Sequence, residues 1–241
     1  MPLFRNATFV LSAHDLRDLP PPGAPEIAFA GRSNAGKSSA INTLADHVRL
    51  AFVSKTPGRT QLINFFRLAG GAMLVDLPGY GFARVPAATR AHWERVLSMY
   101  LQTRESLQGL VLVMDARHPL TPLDETMLAW FRPTGRPVHV LLTKADKLSR
   151  NVQESTLRSV RERLRRLAPN FTAQLFSALK RTGLDEAEAT LGQWLAGAGQ
   201  PRASSGENRG GNKKARSQVD EARGWKQKSP EPKGKTRGRT P

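Results

Sequence analysis

Apolar residues along the chain form short runs that alternate with longer amphipathic stretches. Six runs are typical of strands: Glu26–Ala30, Leu62–Leu68, Ala72–Asp76, Leu110–Asp115, Val138–Thr143 and Phe171–Phe176. Between most of these runs the apolar positions recur every three or four residues, which is typical of amphipathic helices. The predicted helices are Lys37–Leu44, Thr89–Arg104, Leu123–Phe131, Val152–Leu167 and Leu184–Leu195. Strands that alternate with helices indicate a mainly parallel sheet covered on both faces.

One connection breaks this alternation. The second and third predicted strands are separated by only Ala69-Gly70-Gly71. Because a link this short favours a hairpin, one of the two strands should be an antiparallel edge strand. We therefore expect an α/β domain of three layers over residues 1–200, with a six-stranded, mostly parallel sheet, one antiparallel edge strand and helices on both faces.

Charge sets the last part of the chain apart. The whole chain has a net charge of +17, and residues 201–241 carry +8 of it, from 12 Lys and Arg against 4 Asp and Glu. This segment has too few apolar residues to offset its ordering entropy, so we expect a disordered basic tail. The tail either solubilises the protein or serves as an arm for RNA or DNA. The other residues carry +9, and a surplus of this size favours a polyanionic partner.

Three negative features narrow the class of protein. The chain has no cysteine, which excludes disulfides, thiolate zinc sites and cysteine nucleophiles. No window approaches 18 uncharged apolar residues, so no membrane span is expected. The apolar run Ala7–Ala13 is short and interrupted by Thr8 and Ser12, and we do not interpret it as a signal peptide. We expect a cytoplasmic monomer with no membrane partner.

The most specific motif directly follows the first predicted strand. It has the pattern G-x-x-x-x-G-K-S and consists of Gly31, Arg32, Ser33, Asn34, Ala35, Gly36, Lys37 and Ser38. Glycines let the backbone N–H groups of such a loop point at phosphate oxygens, and the start of the following helix favours anions. Lys37 is expected to reach the β- and γ-phosphates, and the Ser38 hydroxyl to coordinate Mg²⁺.

Three further motifs end later strands and select the nucleotide. Asp76-Leu77-Pro78-Gly79 ends the third strand, where its carboxylate can hold Mg²⁺ through water. Thr143-Lys144-Ala145-Asp146 ends the fifth strand, where an aspartate accepts from two guanine donors that adenine does not offer. Ser177-Ala178 follows the sixth strand and can present an N–H to the guanine carbonyl. Since ligands of open α/β sheets bind at the carboxyl ends of strands, the sequence predicts GTP.

These segments together resemble the EngB/YsxC-type bacterial GTP-binding proteins over about Arg5–Leu195. The resemblance is carried by GRSNAGKSS (31–39), TPGRTQLINFF (56–66), DLPGYGF (76–82), TKADKL (143–148) and FSAL (176–179). It implies a P-loop GTPase fold with GTP or GDP and Mg²⁺ as cofactors. It also implies assistance to assembly of the large ribosomal subunit, with ribosomal RNA as partner, and a requirement in cell division and septation.

The same resemblance assigns further site residues. The first switch that it implies consists of Gly58, Arg59, Thr60, Gln61 and Leu62. Thr60 would be the second protein ligand of Mg²⁺ beside Ser38, because a loop hydroxyl can close over the nucleotide when a γ-phosphate is present. The alternative is that Thr60 is an ordinary loop residue. The base site would be completed by Phe176, Ser177 and Ala178.

The residues also predict slow GTP hydrolysis. Ras-like enzymes orient the attacking water with a glutamine directly after the D-x-x-G glycine, and this chain has Tyr80 there. The candidates for catalytic roles are Lys37, Thr60 and Asn34. The Asn34 side chain either helps to hold K⁺ against the phosphates, in place of an arginine finger, or only stabilises the loop.

Two other functions remain open at this point. A P-loop nucleotide kinase would need an arginine-bearing lid and an acceptor site, and it would leave Asp146 unexplained. A nucleic-acid-binding protein with a structural P-loop would account for the basic charge. Arg158, Arg161 and Arg165 follow helical spacing along one face, which is either a solvated surface or one that faces RNA.

Overall fold

Seven strands form one sheet in the part of the chain that the computed structural model describes, residues 3–47, 50–51, 62–81 and 87–199. They are β1 (Thr8–Ala13), β2 (Glu26–Gly31), β3 (Ile63–Arg67), β4 (Met73–Asp76), β5 (Leu107–Asp115), β6 (Val138–Thr143) and β7 (Phe171–Leu175). Their order in the sheet is β1-β3-β4-β2-β5-β6-β7. The strands β4, β2, β5, β6 and β7 run parallel, and β3 is antiparallel to its neighbours β1 and β4. The predicted tail, residues 201–241, lies outside the described residues.

Five α-helices lie in the same described ranges. They are α1 (Lys37–Leu44), α2 (Ala87–Thr103), α3 (Pro122–Phe131), α4 (Arg150–Leu167) and α5 (Leu184–Ala196). The bounds of α1 and β6 are the predicted ones, and every other predicted element ends within three residues of its prediction. Within the described part of the chain, no helix is long and apolar enough to cross a membrane.

The sheet has one strand more than the six predicted. The additional strand, β1, pairs antiparallel with β3 and takes the edge position. The predicted antiparallel strand, β3, is therefore next to the edge rather than at it. The prediction missed β1 because the apolar run Ala7–Ala13 is short and interrupted by Thr8 and Ser12, unlike the continuous runs that mark strands covered on both faces. In the fold, Ala13 alone among the six residues of β1 is buried.

Alternate residues of the central strand face opposite layers of the fold. Ala28 and Ala30 of β2 belong to a core shared with α2, α3 and α4. Ile27 and Phe29 belong to a second core, shared with α1 and α5. Because both faces are covered, β2 is buried along its whole length, as expected for a strand within a parallel sheet. The predicted three-layer α/β class is confirmed.

Candidate functional site

Four loops lie at the carboxyl ends of the parallel strands. They follow β2, β4, β6 and β7 and comprise residues 32–36, 77–81, 144–149 and 176–183. From β2 the chain continues to β3 and β4 on one side of the sheet and then to β5 on the other. Such a reversal of strand order is where open α/β sheets bind their ligands. The candidate site is therefore built around the end of β2.

The loop after β2 has a backbone that ordinary side chains would obstruct. A Cβ atom on Gly31 would lie 2.8 Å from the carbonyl oxygen of Val113 on β5. Gly36 has a φ of 101°, and a Cβ there would lie 3.3 Å from the Thr143 hydroxyl. Asn34 is also left-handed, with a φ of 63°. A loop wrapped in this way can direct successive N–H groups toward one anion.

The loop leads directly into α1. Gly36 is the N-cap of α1 and has no side chain with which to cap the first turn. The first-turn N–H groups and the positive end of the helix dipole are therefore suited to a phosphate. Since α1 begins at Lys37, the Ser38 hydroxyl belongs to the same turn. This confirms the predicted strand–loop–helix context of the phosphate motif.

Lys37 forms an ion pair with Asp76, which ends β4. The two side chains are only 11% and 9% exposed, so the pair is largely shielded from water. A triphosphate that bound in the loop would offer Lys37 a stronger anionic partner. Asp76 would then be released toward a hydrated cation. The geometry thus brings together two residues that sequence analysis predicts for phosphate and metal binding.

These residues fit Mg²⁺ by the chemistry of their donors. Mg²⁺ takes oxygen ligands and usually shares them with waters and substrate phosphates, and Ser38 and Asp76 supply a hydroxyl and a carboxylate. Among the described residues no group of three or more His, Cys, Asp or Glu could hold a metal. Gly58, Arg59, Thr60 and Gln61 lie outside the described residues; Leu62 is half-buried directly before β3.

The remaining residues of the motif after β4 are packed against the sheet. Leu77 is buried, and its N–H donates to the carbonyl of Phe29 at 3.0 Å. Pro78 is buried and Gly79 half-buried. This loop is thereby fixed beside β2, next to the phosphate loop.

The residues predicted to bind the base are brought together by two loops. Ser177 donates to the carboxylate of Asp146 at 2.6 Å, and this hydrogen bond lowers the pKa of Asp146. The N–H of Ala145 donates to the carbonyl of Phe176 at 3.2 Å. Phe176 is fully buried and Ala178 packs against the same core. The ionised Asp146 therefore stands on a fixed frame, as an acceptor of two guanine donors must.

Lys144 connects the base loop to the phosphate loop. Its Nζ donates to the carbonyl of Asn34 at 2.7 Å and to the carboxylate of Asp115 at 2.9 Å. The preceding residue, Thr143, reaches from β6 to the carbonyl of Ala35. The stem of Lys144 is therefore held across the space between the two loops, where its methylene groups could lie along the plane of a base.

Asp115 supports the candidate site through Lys144, and sequence analysis missed it. It ends β5, is buried, and is held by a bidentate contact with Arg117 as well as by Lys144. Burial alone would raise the pKa of Asp115, but the hydrogen bonds from Arg117 and Lys144 hold it well below the ordinary value. The only sequence signal was its place at the end of an apolar strand, since it belongs to none of the motifs.

Tyr80 occupies the position at which Ras-like enzymes have glutamine. Its hydroxyl donates to Asp124 at 2.7 Å, and burial followed by the Asp124 charge raises the pKa of Tyr80. Its carbonyl accepts from the N–H of Ser33 at 2.9 Å, and its N–H donates to the carbonyl of Gly31 at 3.3 Å. Tyr80 therefore ties the loop after β4 to both the phosphate loop and α3, and its hydroxyl is engaged by Asp124.

Comparisons with known proteins agree with this geometry. A family model described as "50S ribosome-binding GTPase" matches residues 26–144. The chain is 63% identical to the probable GTP-binding protein EngB of Methylobacillus flagellatus over 195 residues, 81% of this chain and 94% of that protein. It is 59% identical to the protein of the same name from Neisseria meningitidis serogroup B over 210 residues, 86% of this chain and all of that one.

Solved structures are similar in fold. A crystal structure of a probable GTP-binding protein engB has a TM-score of 0.56 at 24% identity and covers 71% of this chain and 98% of its own. The structure of Era in complex with MgGDPNP and a segment of 16S ribosomal RNA has a TM-score of 0.56 at 20% identity, with 78% and 60% covered. At these identities the likeness shows the fold alone.

Proposed function

Since the chain belongs to the EngB family of GTP-binding GTPases, we propose that it is a cytoplasmic, GTP-controlled assembly factor of the large ribosomal subunit. The observation that carries the proposal is that the described loops with the predicted phosphate and base residues lie together at the carboxyl ends of the strands, in a chain that matches a family described as "50S ribosome-binding GTPase". By the same resemblance we propose that the protein is required for normal cell division and septation.

In this proposal each loop has a separate task. The backbone of 31–38 wraps the phosphates, and Lys37 leaves Asp76 to contact the β- and γ-phosphates. Ser38 and Thr60 ligate Mg²⁺, which neutralises phosphate charge when bound. Asp146 accepts from the guanine edge while Lys144 covers the base. Because Thr60 serves only the GTP state, Thr60→Ala should weaken GTP binding and leave GDP binding unchanged, whereas Ser38→Ala should weaken both.

We further propose that hydrolysis is slow and depends on K⁺. The Tyr80 hydroxyl bonds to Asp124, so no residue at that position orients the attacking water. Lys37 and Thr60 would stabilise the transferred phosphoryl group, and Asn34 would hold K⁺ against the phosphates. The test is the turnover rate in KCl against NaCl for the wild type and for Asn34→Gly, since glycine tolerates the left-handed backbone at this position. Equal rates in both salts would exclude the ion.

The ribosomal role is tested by co-sedimentation. Purified large ribosomal subunits are mixed with the protein loaded with GDP or with a non-hydrolysable GTP analogue. We expect stable binding with the analogue and weak binding with GDP, because the first switch closes only over a γ-phosphate. Binding that is absent in both states would contradict the proposal. In cells, depletion of the protein should cause incomplete large subunits and filaments without septa to accumulate.

A further inference from the structure

One face of α4 borders a groove that the nucleotide site does not use. The groove has a volume of about 290 Å³ and is lined by Glu154, Leu157, Arg158, Arg161 and Arg165. These positions lie on a single face of the helix. Because α4 packs against β7, the edge strand of the sheet, the groove lies along the outer side of the domain. It therefore offers a surface to a large partner.

Five of the six arginines of α4 fall into two sets. One set is paired with carboxylates: Arg150 with Glu154, Arg163 with Glu125, and Arg166 with Glu162. The other set is Arg158 and Arg165, which line the groove and are exposed. Within the described ranges no Asp or Glu forms an ion pair with either of them. The arginines of α4 that form no ion pair with a described carboxylate therefore lie in the groove.

Arg161 lies between these two and is fixed in place. Its Nε donates to the carbonyl of Ala173 on β7 at 2.8 Å, and its Nη2 lies 3.8 Å from Glu186. This contact occupies a backbone acceptor on the sheet edge, where another strand could otherwise pair. The edge of β7 is therefore less available at Ala173 for pairing with another strand.

We propose that this groove binds the phosphodiester backbone of ribosomal RNA, with Arg158 and Arg165 as the phosphate contacts. The inference rests on the proposed ribosomal function and names the surface that carries it. A guanidinium group matches phosphate with two parallel hydrogen bonds. RNA fits better than an acidic protein because the net charge is +9 on residues 1–200 and +8 on residues 201–241, which steers a long polyanion toward the whole molecule.

The test compares two double variants of the full chain across a salt series. R158A/R165A removes the unpaired arginines, and R150A/R166A removes the same charge from the same helix at carboxylate-paired positions. The probes are purified large ribosomal subunits and protein-free large-subunit RNA. For R158A/R165A we expect roughly tenfold weaker binding or more. The slope of log affinity against log salt should be shallower by about 1.4–1.8, for two lost phosphate contacts. R150A/R166A should stay near wild type, and both variants should keep wild-type GTP affinity.

Each other outcome overturns a distinct statement. If both double variants weaken binding equally, only net charge matters and the groove is not the contact. If R158A/R165A loses affinity for subunits but not for protein-free RNA, the groove contacts a ribosomal protein and the RNA assignment is wrong. If the wild type binds neither probe, the proposed function fails before the groove is tested. Wild-type binding by R158A/R165A overturns the groove alone.

Discussion

The two ends of β2 use charge in opposite ways. At its amino end Glu26 is 1% exposed and accepts hydrogen bonds from the Tyr100 hydroxyl at 2.8 Å and from Nε of Arg104 at 2.9 Å. At its carboxyl end Gly31 leads into the phosphate loop, where Lys37 pairs with Asp76. The first network joins α2 to the sheet, and its charges are satisfied by contacts within the protein. The second network pairs Lys37, which could instead contact a phosphate, with Asp76, which could instead contact a hydrated cation.

The difference separates stability from function along one strand. Burial and the neighbouring Glu26 charge raise the pKa of Tyr100, so its hydroxyl remains a donor and the network stays satisfied. The ion pairs at the other end, Lys37–Asp76 and Lys144–Asp115, are formed by residues that border the candidate site, and each pair connects two elements that border it. Substitutions at the two ends should therefore affect different measurements.

The largest expected effect is on stability at the amino end. Glu26→Ala leaves the buried guanidinium of Arg104 without its counter-charge, which costs about 3–5 kcal/mol of unfolding free energy. Tyr100→Phe removes one neutral donor and should cost about 1 kcal/mol. Urea unfolding measures both. GTP affinity of the folded fraction should be unchanged, and a specific loss of GTP binding in Glu26→Ala would break the separation proposed here.

Asp146→Asn tests the carboxyl end of β2, where we expect a loss of GTP affinity and little change in stability. The amide replaces one acceptor with a donor, so GTP affinity should fall by about 2–4 kcal/mol while the urea midpoint changes little. Xanthosine nucleotides present the complementary groups, so they should bind to the variant more tightly than they bind to the wild type. Calorimetric titration with GTP and with xanthosine triphosphate measures the change. Unchanged GTP affinity would show that Asp146 does not contact the base.

The motifs of the candidate site could be predicted from the sequence, but the residues that hold the motif side chains in place could not. Gly31, Gly36 and Lys37 are recognisable because phosphate binding needs particular residue types at fixed spacing after a strand. Asp115 and Asp124 hold Lys144 and Tyr80 through contacts between residues far apart in the chain. Such contacts exist only once the sheet order is known, and a single sequence contains no periodic signal for them.

The same reasoning explains which elements of the fold were found. Helices and central strands have strong periods or continuous apolar runs, so α1 and β6 were predicted to the residue. The edge strand β1 is covered on one side only, and its pairing with β3 depends on backbone hydrogen bonds that no side-chain pattern records. Its absence from the prediction follows from the physics of edge strands.

Tyr80→Phe sharpens the comparison because Tyr80 lies near the carboxyl end of β2, yet its substitution should lower the free energy of unfolding. The variant removes the donor that reaches Asp124, a buried carboxylate that also accepts from Thr121 at the start of α3. We expect a loss of about 1–2 kcal/mol, similar to Tyr100→Phe at the other end. Hydrogen exchange should rise at the first turn of α3. If stability is unchanged and only hydrolysis responds, Tyr80 has a direct role in the reaction.

The smallest expected effect concerns a network that joins the two ends through β6 and β7. His139 is buried near the amino end of β6 and contacts Gln174 at 2.8 Å and Thr172 at 2.7 Å. The amide of Gln174 donates to the carbonyl of Gly183 at 2.6 Å, at the end of the loop that follows β7. Because the Gln174 amide nitrogen is engaged there, its oxygen faces His139 and accepts from Nε2 of the neutral ring.

The sign of the pH dependence follows from that burial, which lowers the pKa of His139 despite the hydrogen bond from its ring to Gln174. Below about pH 6.5 the unfolded chain takes up a proton that the folded chain does not. The free energy of unfolding should therefore decrease as the pH is lowered below this value, by at most about 1.4 kcal/mol per pH unit from this group. Urea unfolding at about pH 7.5 and about pH 5.5 measures the fall, and His139→Gln should reduce it because glutamine does not titrate. An equal fall in the variant would assign the pH dependence to other groups and leave His139 as a packing residue only.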